Sequence, residues 1–204
     1  MTDARAVFSL AADHFVTLVG RIPADRWDDP GLGEWSVRDL VGHTSRSLRT
    51  ISTYLKTSAP REDLADAVDY YVEAQSLMSG LGAAAIVERG RQAGRDLGQN
   101  PTGAVADLAR QALADVAAAG DPLIEVIGGH GIRLGKYLPT RTFELTVHSI
   151  DIARATGVET TVPVDVLADA AALAARIGVA LGHGPALLLA LTGRADLPDG
   201  FSVV

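Results

Sequence analysis

Cysteine is missing from all 204 residues of this sequence. That absence removes disulfides, thiolate metal sites and a cysteine nucleophile together. Any thiol chemistry run on this chain must borrow its sulfur from a small molecule. Aromatic residues are scarce, at 5%, so aliphatic side chains must fill the core. Alanine is prominent among them and favours helices packed closely together. Positive charge is in deficit as well: the formal net charge is −7, and no run of lysine and arginine marks a nucleic-acid face. No apolar run reaches the roughly 18 residues of a membrane span. No basic segment followed by an apolar stretch opens the sequence. A soluble, cytoplasmic protein with neither a membrane nor a nucleic-acid partner is expected. What is present is ordinary for a globular chain, with 48% hydrophobic and 21% charged residues. The length suits one domain, with or without an appendage.

Apolar residues recur at helical spacing in several stretches separated by glycine and proline. Ala4, Val7, Phe8, Ala11, Phe15 and Leu18 predict a first helix near 2–20. A loop rich in Pro and Gly follows. Ser36 and Asp39 then form a capping-box pattern that opens a helix near 36–58, ended by Pro60. Residues 61–78 predict another helix, broken by Gly80 and Gly82, and 83–97 a weaker one interrupted by Gly90 and Gly94. The charges of that weaker helix, Glu88, Arg89, Arg91, Arg95 and Asp96, predict a solvated face. Residues 102–120 predict a further amphipathic helix. Gly128, Gly129 and Gly131 do not complete a dinucleotide fingerprint, because Leu134 stands where its third glycine belongs. They predict a loop or short hairpin. The tail predicts helices at 166–181 and 186–191 and a terminal strand at 201–204.

The chemistry concentrates between Pro139 and Gly157, which suit the start and end of a helix. Glu144 and His148 are four residues apart and so stack on one helix face. A carboxylate and an imidazole so placed can share a metal ion, and catalytic zinc usually takes a third protein ligand. His43, on the flank of the apolar stripe of the 36–58 helix, is the candidate. Two bland readings stand beside this one. Glu144 with Arg141, and Asp151 with Arg154, have the spacing of exposed ion pairs, and a lone histidine beside an apolar stripe is often a core residue. His14 has no spaced partner and is read as a surface or core histidine, His130 as a loop histidine with a place at a pocket mouth as the alternative, and His183, in a helix break, as no ligand.

The run Gly33-Glu34-Trp35-Ser36-Val37-Arg38-Asp39-Leu40-Val41-Gly42-His43 resembles the second-helix motif of the mycothiol-dependent maleylpyruvate isomerases, members of the DinB-like group of metal-binding four-helix bundles. Residues Arg141 to Ala153, with Glu144, His148 and Asp151 in an E-x-x-x-H-x-x-D core, resemble that family's fourth-helix motif. Ala190 to Arg194 resembles a piece near its end. The resemblance implies an all-α, DinB-like four-helix bundle with a helical insertion at 61–99 and a short C-terminal helical appendage. The division is a metal-binding bundle over 1–160 and a mostly helical region over 161–204.

It also implies His43, Glu144 and His148 as ligands of a divalent metal. Zn²⁺ is expected, with Ni²⁺ or Fe²⁺ as alternatives, since two histidines and a carboxylate also suit non-haem iron. Asp151 is a candidate to orient an imidazole and Arg141 to hold a substrate carboxylate. The implied activity is that of a thiol-dependent isomerase or transferase, with mycothiol as cofactor and a small electrophile as substrate. The rivals are a non-catalytic metal- or ligand-binding protein and a hydrolase using metal-bound water. A homodimer is left open.

Overall fold

Most of the helices begin where a side chain accepts from their first amides or where a proline leaves one fewer amide to satisfy. In the computed structural model, which describes residues 3–78 and 82–204, helix α1 (Ala4–Val19) is capped by Asp3, whose carboxylate accepts from the Arg5 amide at 3.1 Å. Thr2 and Gly80, which the sequence reading used as boundaries, lie outside the described residues. Helix α2 (Val37–Tyr54) opens on the predicted capping box. The Asp39 amide donates to Ser36 Oγ at 3.2 Å, and the Ser36 amide donates to the Asp39 carboxylate at 3.1 Å. Helix α5 (Pro101–Ala118) starts on Pro101, with Asn100 accepting from the Gly103 amide.

Helices α1, α2, α5 and α6 (Leu134–Thr156) pack on one another as the bundle. Phe8, Phe15, Leu40, Leu48, Val105, Tyr137 and Leu145 lie in their shared core. Helix α4 (Ala83–Asp96) lies along α2, and α3 (Ala67–Met78) lies on α6 and α7 (Val164–Ala180). Residues 61–99 are therefore a helical insertion beside the bundle. Helix α8 (Gly184–Leu191) rests on α7.

The α2–α4 contact explains the glycines that weaken α4 on paper. A Cβ at Gly42 would lie 2.3 Å from the Gly94 nitrogen, so the two backbones meet face to face. A Cβ at Gly90 would lie 2.4 Å from the Trp35 indole, which occupies that hollow. The cost to helix propensity, about 1 kcal/mol per glycine, is offset by this close packing.

Three expectations need correction. Helix α6 begins at Leu134, five residues before Pro139. A hairpin of strands β1 (Leu123–Glu125) and β2 (Gly131–Arg133) delivers the chain there, paired antiparallel with Ile124 opposite Ile132. Asp121 Oδ1 accepts from the Gly135 amide at 2.8 Å and the Pro122 carbonyl from Leu134 at 3.0 Å. The helix is thus capped by residues that precede the hairpin. Pro139 forfeits only the one bond its missing N–H would make to the Gly135 carbonyl.

Helix α2 stops at Tyr54 and α3 starts only at Ala67, rather than 58 and 61. The amides of Asp63 and Leu64 go to the Gly131 carbonyl of the hairpin instead, at 2.8 and 3.0 Å. Finally, residues 201–204 form no strand. Phe201 meets the His183 ring edge-on, and Val203 packs near Gly178.

Candidate metal centre

The capping box fixes the first turn of α2, and His43 follows one turn beyond it, where α2 faces α6. Trp35, just ahead of the cap, lays its ring over His43 with centroids 4.5 Å apart and planes tilted 31°. The indole is itself held by a 2.9 Å hydrogen bond to the Val87 carbonyl on α4 and by the hollow at Gly90. His43 is thus aimed by the insertion as well as by its own helix. Burial first, then the nearby His148, pushes its pKa down to about 4, against the pull of Glu144. The ring is neutral, and its Nδ1 is buried with no hydrogen-bond partner.

Glu144 and His148 stand one turn apart on α6 and meet it. One coordinating atom from each of His43, Glu144 and His148 lies within 4.8 Å of the other two. His148 Nε2 is 3.5 Å from Glu144 Oε2, and its Nδ1 is 3.2 Å from Asp151 Oδ2. The other oxygen of Glu144 accepts a 2.7 Å hydrogen bond from the Tyr71 hydroxyl of α3. Burial alone would raise the Glu144 pKa. The hydrogen bond from His148, the Arg141 charge and the Tyr71 hydroxyl outweigh it and hold the carboxyl down to about 2. Burial would likewise lower that of His148, but Asp151 and Glu144 raise it to about 9. The cluster therefore holds one neutral imidazole, one carboxylate and one imidazolium. The two ring nitrogens of that imidazolium each face a carboxylate, Nε2 toward Glu144 and Nδ1 toward Asp151.

The ion-pair alternatives for α6 are not what the structure contains. Arg141 is buried, donates to Thr140 Oγ1 at 3.0 Å and to the Tyr70 hydroxyl at 3.3 Å, and stacks 4.9 Å from the Tyr137 ring. Asp151 meets His148, and Arg154 has no carboxylate partner among the described residues. The other histidines lie outside the cluster: His14 contacts Thr160, His130 meets Glu73 at 3.3 Å, and His183 packs on Phe201.

The cluster borders a cavity of about 380 Å³ whose wall includes His43, Glu144, Arg141, Arg46 and Arg89. Arg89 therefore does not belong to the solvated face of α4, unlike Arg91 and Arg95, which pair with Glu34 and Glu88. Sequence reasoning missed Tyr71, Arg46 and Arg89. Tyr71 stands with Leu64, Val68 and Val72 among the apolar residues of the 61–78 stretch, and a buried tyrosine needs a partner for its hydroxyl. That rule was the available signal, but its partner is 73 residues away.

A His-Glu-His cluster on facing helices of an all-α bundle is a group of side chains that could hold a divalent metal. The family described as Mycothiol maleylpyruvate isomerase N-terminal domain matches residues 8–153. That span carries all three cluster residues and most of the chain, and the chain belongs to this family. The fold is its all-α, DinB-like bundle. No curated protein and no solved structure matches the chain. Among the described residues, no helix is long and apolar enough to cross a membrane.

Proposed function

We propose that His43, Glu144 and His148 bind a divalent metal, Zn²⁺ in the first instance, and that the protein uses it in thiol-dependent isomerisation or transfer on a small electrophile. The observation that carries the metal reading is the convergence of one donor atom from each of three residues within 4.8 Å of one another, with His43 also keeping a buried ring nitrogen that has no protein partner. The donor chemistry fits: two imidazoles and one carboxylate leave zinc a net positive charge and an open position. When bound there, the ion supplies the charge that holds a thiol as its thiolate near neutral pH. The family name and the absence of cysteine support a low-molecular-weight thiol of the mycothiol type as the sulfur source.

The chain's own residues would set the geometry. Asp151 accepts from His148 Nδ1–H and so presents the Nε2 lone pair to the cluster. Tyr71 occupies one oxygen of Glu144 and leaves the other facing His148. The cavity gives a substrate access to His43 and Glu144. Residues 1–160 hold every ligand in this reading. Residues 161–204 form an appendage whose Val203 and Val204 close one side of the cavity. Reduced thiols are kept in the cytoplasm, and we place the protein there.

Cobalt substitution tests the reading. Adding mycothiol or glutathione to the Co²⁺ protein is expected to produce a sulfur-to-metal charge-transfer band. Apparent thiol affinity should climb with pH until the thiol's own pKa, about 8.5. His43→Ala should lose the metal, and with it the band. A Co²⁺ spectrum that ignores every thiol would remove the thiol step and leave the metal site. No metal uptake by the parent protein would remove both.

A further inference from the structure

A surface helix normally turns charge toward solvent, and α7 does not. It buries Val166, Ala170, Leu173 and Ile177. Val164, Leu167, Ala168, Ala171, Ala175 and Val179 fall on the opposite side, within an arc of about 120° at 3.6 residues per turn. Val164 is 77% and Val179 61% exposed. The charges of the helix, Asp165, Asp169 and Arg176, share one narrow flank beside that arc. Helix α8 continues the surface, since a Cβ at its Gly184 would lie 3.3 Å from Val179. It carries no charge and buries no residue, and Leu188 and Leu191 are 66% and 76% exposed. A helix that is apolar on every side is ordinarily covered on every side.

Area and charge say what covers it. Val164, Leu167, Val179, Leu188, Leu189 and Leu191 are between 43% and 77% exposed. At about 60–120 Å² of apolar surface per fully exposed side chain, they present roughly 220–440 Å². The exposed Ala168, Ala171 and Pro185 extend the patch toward the roughly 500 Å² that each partner gives to a small specific interface. Asp165 and Asp169 are exposed and have no ion pair among the described residues. Arg176 is 62% exposed and reaches Asp66 at 2.8 Å through one terminal nitrogen. A twofold axis at the middle of the stripe, between Ala171 and Ala172, lays two α7 helices antiparallel with stripe on stripe. The two charged flanks then fall on the same side. By residue number, Arg176 of each copy stands level with the interval between Asp165 and Asp169 of the partner subunit.

We propose that the outward faces of α7 and α8 are the interface of a homodimer, in which the two α7 helices pair antiparallel about that axis. Such an interface is isologous, so a single patch serves both subunits and both copies are buried in one step. The same rotation sets α8, which lies at Gly178 and Val179 near the C-terminal end of its own α7, beside Val164 and Leu167 of the partner subunit. The flanking aspartates argue against an anionic membrane as the occupant, because that surface selects basic flanks. The pairing is independent of the metal reading, since no residue of the His-Glu-His cluster lies on α7 or α8.

Sedimentation equilibrium of the full chain tests the pairing. The parent is expected to be a dimer at about 100 µM. V164E/L188E changes two exposed side chains, so each subunit keeps its helical signal, but the dimer would have to bury their charge. Its dissociation constant should rise at least about tenfold. R176E and D165R/D169R should each weaken the dimer, because each sets like charges against one another across the axis. An equimolar mixture of those two proteins should pair again, because opposite charges then face each other at both ends of the interface. If R176E loses helical signal along with its Asp66 pair, D165R/D169R alone makes the comparison, with a weaker dimer expected and an unchanged one overturning the pairing. A parent that stays monomeric at about 100 µM, a dimer untouched by V164E/L188E, or a mixture that fails to pair would each overturn the proposal. A monomeric parent that floats with phosphatidylcholine–phosphatidylserine vesicles would overturn it too, and would give the face to a membrane.

Discussion

His148 carries the pH behaviour of the site. In the metal-free protein it holds its proton up to about pH 9, between Asp151 and Glu144. Its folded pKa is raised above the ordinary histidine value near 6.5. Its contribution to stability is therefore complete below about pH 6.5 and is lost as pH rises through about 9. A metal must displace that proton. His43, neutral above about pH 4, and Glu144, ionised above about pH 2, have none to give. Zinc binding at pH 7.5 is thus expected to release about one proton. Apparent affinity should rise about tenfold per pH unit and flatten above about pH 9. Calorimetry in buffers of different ionisation enthalpy measures the release directly, and a value near zero would mean that His148 is not displaced.

At the scale of elements, α4 is the part whose purpose was hardest to see. Gly90 and Gly94 read as defects in a helix, yet Gly94 admits the α2 backbone at Gly42, and Gly90 seats the Trp35 ring that covers His43. Gly42→Ala should therefore destabilise the protein by on the order of 1–3 kcal/mol, because its new methyl meets backbone and not a movable side chain. Gly120→Ala, with nothing within 4 Å of its Cβ, should stay within about 0.5 kcal/mol of the parent. Chemical denaturation compares the two, and equal stabilities would contradict the tight α2–α4 seam.

The same contrast explains what could be read in advance. The Ser36–Asp39 cap and the spacing of Glu144 and His148 are local patterns, and they led to α2, α6 and the cluster. The true start of α6 depends on Asp121, across a hairpin. The late start of α3 depends on the Gly131 carbonyl. Tyr71 and Arg89 matter only because α3 and α4 fold back over the bundle. Such long-range partners leave no periodic trace in a single chain.

At the scale of the molecule, the cluster joins α2 to α6, two elements about a hundred residues apart in sequence. A ligand bound only by the folded state adds its binding free energy to stability. Zinc at 100 times its dissociation constant should contribute about 2.7 kcal/mol, raising the melting temperature by about 5–11 °C for a chain of this size. Differential scanning calorimetry with and without chelator checks this. Glu144→Ala should abolish the shift, and a shift that survives in that variant would place the zinc elsewhere.

The insertion adds something further. The three donors stand on α2 and α6, whereas Tyr71, Arg89 and the Val87 carbonyl that anchors Trp35 come from α3 and α4. Coordination and recognition are thus written in different parts of the chain. Most of the insertion can be exchanged without touching a donor, so a library confined to residues 67–78 and 83–96 should yield proteins that keep the three donors in place while presenting different cavity walls.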